Sequence, residues 1–311
     1  MALAPRRPPA WFFFSLLSVL AWGLWGLLSK VVTVDLDATL THGTSTVGAL
    51  AVLPLVFIGG KAAEKRPAST RGLCVALLAG IFGSAGNVLV YRALGMGGLA
   101  SIVFPLSALY PLVTVALAVA FLRERLGAAQ ILGLALALAA ILGLSVEPPK
   151  DGSAPSLATA IERPWLWLSA GALLVWGVSG ALQKLSTESL SPGRSYMAFS
   201  LGYVATAIVL LAATAPGWGT LTARTALYGT LSGVLNGLGV LALFAALARG
   251  GKASVVVPLT ALYPIVTLVL AVSFLGERPA GLQTAGAGAA VAAGALLARE
   301  REPRPAGDPV E

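Results

Sequence analysis

Ser107, Tyr110 and Thr114 stand at i, i+3 and i+7, the spacing that lines three side chains along one face of a helix. Thr260, Tyr263 and Thr267 repeat the set 153 residues later. Prolines interleave with both sets: Pro105 and Pro111 in the first, Pro258 and Pro264 in the second. A proline inside a helix has no N–H for the carbonyl four residues back and kinks the axis. The carbonyls so freed belong to Ser101, Ser107, Ser254 and Thr260, all hydroxyl residues. In a hydrocarbon setting a freed carbonyl must be satisfied locally or face a cavity. The chemistry on offer is hydrogen bonding to a solute from two polar kinks. The competing reading is kink repair and glue between helices.

Few other polar side chains lie in apolar surroundings. Asn87 and Tyr91 sit at i and i+4, and Asn236 lies one turn earlier in the register than the counterpart of Asn87. Trp22, Trp25 and Trp176 lie within apolar runs next to helix-spaced glycines, where either a cavity wall or a lipid-facing position fits. Lys30 and Lys184 read as snorkelling helix ends, with an anion contact as the sharper alternative. The 13 acidic residues all fall in loops, tails or span ends, and the single histidine, His42, is at the start of a span. Glu124-Arg125 and Glu277-Arg278 read as interfacial ion pairs or helix ends. No carboxylate or histidine relay is expected at mid-membrane for ion coupling. With no His/Asp cluster, cysteine pair or metal-ligand set, no metal and no cofactor are expected, and a membrane-embedded enzyme is disfavoured.

The elements carrying these residues are duplicated. Ser101 to Arg125 returns as Ser254 to Arg278 with 17 of 25 positions identical, and Trp22-Gly23-x-x-Gly26-x-x-x-Lys30 returns as Trp176-Gly177-x-x-Gly180-x-x-x-Lys184. The composition is 57% hydrophobic and 11% charged, with a mean hydropathy of +0.86. A soluble domain carries about 25% charged residues, so the solvent of this chain is the lipid bilayer. The net charge of +8 sits between apolar runs without interleaved aromatics, which points to topology and not to nucleic acid. Cys74 stands alone in an apolar run, so there is no disulfide framework. The run 11–32 after Arg6 and Arg7 is too long for a signal peptide and reads as a retained first span.

Ten segments are apolar enough to span, near 11–32, 39–59, 72–94, 98–121, 127–146, 164–185, 195–214, 225–248, 252–275 and 280–298. The fold class expected is an all-α polytopic membrane protein. Its ten transmembrane helices form two five-helix repeats, 11–146 and 164–298. They are joined by a linker at 147–163 and flanked by cytoplasmic tails at 1–10 and 299–311. An odd number of helices per repeat inverts the second copy, and inverted repeats mark secondary transporters with a midplane site. A cytoplasmic N-terminus puts fifteen Lys and Arg inside and six outside, so both termini are expected in the cytoplasm. Gly281 to Gly294 is rich in small residues and fits either internal packing or a homodimer face.

The two halves, the W-G-x-x-G…K openings, Y-R-A-L at 91–94 and the P-L-[ST]-A-L-Y-P stretches resemble the drug/metabolite transporter superfamily. The likeness is to the ten-helix type with two EamA-type repeats, and it covers nearly all of residues 11–298. That resemblance implies an inner-membrane carrier, with a central cavity lined mainly by helices 1, 3, 4, 6, 8 and 9 and with alternating access. It also implies a small solute such as a metabolite, amino acid or drug, moved mostly outward. The small multidrug-resistance branch carries a glutamate in its first span, where this chain has Trp22 and Trp176. That departure argues against proton-coupled cation efflux. The alternative is a non-transporting membrane scaffold or sensor built on the same repeat.

Overall fold

Among the described residues the apolar runs fold into helices, because in hydrocarbon a helix satisfies its own backbone. The computed structural model describes residues 9–59, 69–113, 116–117, 127–145, 162–251 and 253–297, and among them there is no strand. The helices in the first half are α1 (Ala10–Val32), α2 (Ala38–Ala51), α3 (Leu53–Gly59), α4 (Thr70–Gly95), α5 (Ala100–Ser107) and α6 (Ala128–Ser145). Those in the second half are α7 (Pro164–Thr187), α8 (Pro192–Ala213), α9 (Ala223–Ala248), α10 (Ala253–Thr260), α11 (Pro264–Phe274) and α12 (Gly281–Leu297). Among the described residues, seven helical spans are long and apolar enough to cross a membrane, two of them, Ala38–Val56 and Val256–Phe274, each made of two consecutive helices. Polar residues set the starts. Asp37 accepts the Thr39 and Leu40 N–H groups, Thr222 and Thr225 form a capping box, and Pro164, Pro192 and Pro264 occupy first turns.

The proline stretches break more sharply than a kinked helix would. The run expected at 98–121 is α5, a turn at 108–110 and a new helical start at Pro111; the run expected at 252–275 is α10, a turn at 261–263 and α11. The carbonyls of Ser107 and Thr260 are not left free. Tyr110 N–H and Tyr263 N–H donate to them at 3.2 Å each, closing three-residue turns. The backbone repairs the break by tightening, so these two carbonyls are spent on structure and not offered to a solute.

Packing pairs one half with the other. α1 lies along α9, and α7 lies along α4. α2 packs on α9 and α8 on α4 with their backbones almost touching. A Cβ on Gly48 or Gly233 would overlap backbone atoms of the facing helix, and so would one on Gly80 or Gly202. Only glycine permits that approach. In the small-residue stretch of α12, Gly286 packs against Gly143 and Ala140 of α6, an internal contact. α4 and α9 end alike, on Gly97 (φ +91°) and Gly250 (φ +88°).

Candidate functional site

A cavity lies between α1, α4, α7, α8 and α9 and the two Pro-turn stretches. Its walls are aromatic. Trp22 packs edge-on against Tyr263 with ring centroids 5.9 Å apart, and Trp176 packs edge-on against Tyr110 at 6.3 Å. Trp25 joins the pairs, 5.9 Å from Trp176 and 6.2 Å from Tyr263. Each repeated Trp is fixed by an indole hydrogen bond across the halves. Trp22 donates to the Asn236 carbonyl at 3.3 Å, and Trp176 donates to the Gly83 carbonyl at 3.1 Å. The indole of Trp22 lies over Gly239 and that of Trp176 over Gly86, where any side chain would collide with it.

The polar part of the wall is a bridge. Tyr203 of α8 accepts at its hydroxyl from Asn87 Nδ2 and from Asn236 Nδ2, both at 3.1 Å. This accounts for the one-turn offset between the two asparagines: they converge on one oxygen from opposite helices. Tyr263 presents a buried hydroxyl with no hydrogen-bond partner among the described residues, whereas that of Tyr110 lies within reach of Thr260. A cavity wall holding a spare donor and acceptor is suited to hydrogen-bonding a solute. The one charged side chain among the described lining residues is Lys184, exposed at the end of α7.

Lys184 and Leu247 lie at the ends of α7 and α9 on the side where α1 begins, and the cavity reaches them. The opposite side is closed by a second polar layer. The Tyr91 hydroxyl accepts from Trp25 Nε1 at 3.2 Å and lies 3.1 Å from Ser45 Oγ, and Ser29 pairs with Ser232 at 3.3 Å. Lys30 donates to the carbonyls of Leu94 at 3.2 Å and Gly98 at 2.8 Å. Glu277 is buried and accepts the N–H groups of Ala100 and Ser101, both at 2.8 Å. It therefore caps α5 from the other half instead of pairing at an interface. His42 is buried too, its Nε2 3.0 Å from Ser84 Oγ, deeper than its place near the start of α2 implied.

Of the residues expected to bind solute, Trp22, Asn87, Tyr110, Trp176, Asn236 and Tyr263 line the cavity. Five others do not, each for a local reason. Tyr91 belongs to the closed layer. Ser101 sits in the first turn of α5, where its N–H is held by Glu277. Ser107 Oγ donates to the Ser169 carbonyl at 3.5 Å, Thr260 Oγ to the Val257 carbonyl at 2.9 Å and Thr267 Oγ to the Gly23 carbonyl at 3.1 Å. Those three hydroxyls serve turns and helix contacts. Thr114 lies outside the described residues, as do the side chain of Ser254 and the pair Glu124-Arg125. Three further aromatic residues line the cavity, Trp25, Phe199 and Tyr203. Trp25 is legible as a third intramembrane tryptophan three residues after Trp22, with a cavity wall as one of its two readings. Tyr203 is legible only as a hydroxyl inside the seventh apolar run, and sequence reasoning missed it. Among the described residues no group of three or more His, Cys, Asp or Glu could hold a metal ion.

Comparison with known proteins gives three findings. The model of the EamA-like transporter family matches residues 9–146 and again 163–299. An uncharacterized protein of Methanocaldococcus jannaschii is 40% identical over 74 residues, which is 24% of this chain and 53% of that protein. The match thus spans about half the length of that curated relative. A solved crystal structure of a protein covers 92% of this chain and 96% of its own at 18% identity, with a TM-score of 0.63, and shows the shared fold alone. Two family matches that together span both halves fit the duplicated tryptophan–glycine contacts at the cavity. The chain belongs to the EamA-like transporter family.

Proposed function

We propose that the chain is a secondary carrier that moves a small, largely uncharged, zwitterionic or amphipathic solute through the central cavity by alternating access. The observation that carries this reading is the asymmetry of the cavity. It reaches Lys184 and Leu247 on one side and is shut on the other by the layer of Trp25, Ser29, Ser45, Tyr91 and Ser232. In this reading the apolar runs form ten spans, as two inverted five-helix repeats of the bacterial inner membrane. The two Pro-turn stretches then run antiparallel and bring Tyr110 and Tyr263 to the same cavity from opposite directions. With the positive residues inside, both termini and the open side face the cytoplasm, which suits loading from within and export.

Aromatic walls bind the apolar body of the solute, and the Tyr203 bridge with the Tyr263 hydroxyl orients its polar end. The expected result for Tyr110→Phe combined with Tyr263→Phe is a loss of about tenfold to a hundredfold in solute flux, the scale of one or two hydrogen bonds to a bound polar group. The fold is retained, because neither ring is lost. Efflux of candidate solutes from loaded proteoliposomes measures it, and an unchanged flux for a transported solute removes these tyrosines from the site.

A further inference from the structure

Lys30 and Lys184 occupy the same place in the two repeats, 154 residues apart, but they are engaged differently. Lys30 is docked on the closed side, from α1 onto the carbonyls of Leu94 and Gly98 where α4 of the same half ends. Lys184 is exposed beside the cavity, and its ammonium makes no hydrogen bond among the described residues.

The receptor for Lys184 is nevertheless built. The positions corresponding to Leu94 and Gly98 are Leu247 and Gly251, where α9 ends. The chain reversal is the same at both places. Gly97 and Gly250 have φ of +91° and +88°. Gly98 N–H donates to the Ala93 carbonyl at 3.0 Å, and Gly251 N–H donates to the Ala246 carbonyl at 3.1 Å. Gly97 N–H donates to Leu94, and Gly250 N–H donates to Leu247. Such an ending leaves terminal carbonyls facing out, where the helix dipole favours a cation. One copy of this motif holds its lysine and the other does not, and the copy that does not lies at the open side.

We propose that Lys184 is the latch of the open side. When that side closes, its ammonium docks on the carbonyls of Leu247 and Gly251 as that of Lys30 docks on Leu94 and Gly98, and Lys30 lets go as the opposite side opens. This rests on the alternating-access reading and adds to it the residues that set the balance between the two states. Each lysine stabilises one state only, so removing one shifts the population toward the other.

The test uses spin labels at Leu185→Cys and Ala248→Cys, both exposed ends flanking the open side, in a Cys74→Ser background of the full chain. Their distance distribution is read by pulsed electron paramagnetic resonance in lipid nanodiscs. The unmodified latch gives a long and a short distance. Lys184→Met depletes the short one about tenfold, the scale of losing a charged hydrogen bond. Lys30→Met enriches it, and Lys184→Arg restores it in part. Lys184 is exposed, so its replacement removes no packing contact and the protein folds. Two distances with a ratio unmoved by Lys184→Met, or moved the same way by both lysine substitutions, overturns the latch and leaves alternating access standing. A single distance in the parent and in both variants overturns alternating access and the latch with it.

Discussion

Tyr203→Phe is expected to lower the stability of the protein by about 2–4 kcal/mol and to abolish solute flux, because one oxygen atom serves two buried donors and each donor left unmade costs about 1–3 kcal/mol. The donors are Asn87 Nδ2 and Asn236 Nδ2, at 3.1 Å each. The asparagines are 2% and 4% exposed, so water does not replace the acceptor without opening the helices. The flux is lost for a second reason: the bridge is the polar end of the cavity and ties α4, α8 and α9 to a single point. Tryptophan fluorescence during thermal unfolding in detergent reads the first effect, and proteoliposome efflux reads the second. Asn87→Leu and Asn236→Leu added to Tyr203→Phe are expected to regain part of the stability but none of the flux. Removing all partners of a polar network is cheaper than removing one. Equal stability of Tyr203→Phe and the parent would mean that the amides find other acceptors.

Gly233→Val is expected to prevent stable folding, with a cost of about 3 kcal/mol or more for forcing a branched side chain into a filled contact. A Cβ at Gly233 overlaps the backbone of Ser45, and one at Gly48 overlaps that of Thr230, so α2 and α9 cannot part on one side without losing both contacts. Nothing flexible stands in the way that could move aside. Gly43 on the same helix α2 is the control, since a Cβ there meets nothing within 4 Å. Gly43→Ala is expected to be tolerated and to gain about 0.5–1 kcal/mol through helix propensity. The yield of monodisperse protein and the unfolding midpoint separate the two substitutions. A well-folded Gly233→Val protein would contradict the close α2–α9 contact.

The duplication made much of this legible in the sequence. Because Trp22 and Trp176 recur with their glycines, their equivalence could be read from spacing, and both prove to be held by indole hydrogen bonds at the cavity. Helix boundaries followed from runs of apolar residues: α1, α4, α7 and α9 begin and end close to the runs at 11–32, 72–94, 164–185 and 225–248. The hydroxyls of the Pro-rich stretches depart from their sequence pattern for one reason. A continuous 3.6-residue period predicts one shared face for them, but the helices stop at Ser107 and Thr260 and restart at Pro111 and Pro264. After such a break the residues on either side no longer share a face, so Tyr110 and Tyr263 reach the cavity while Ser107 and Thr267 turn into helix contacts. Tyr203 escaped notice because its meaning lies in two partners, one 116 and one 33 residues away. The hold of Glu277 on Ala100 and Ser101 was hidden in the same way, since a helix cap supplied from 176 residues away leaves no local pattern.

Val257 lies in the cavity wall, 8% exposed, on the second Pro-turn stretch. Val257→Cys in a Cys74→Ser background gives the most direct test of a carrier. A membrane-impermeant maleimide is applied to one side of oriented vesicles and then, in a separate sample, to the other. A carrier that alternates exposes this position to each side in turn, so the introduced thiol reacts from both, faster from the side where α1 begins. Reaction from that side alone, with full protection from the other, would mean that the cavity never opens across the layer of Trp25 and Tyr91 and that the protein is a membrane scaffold with a blind pocket.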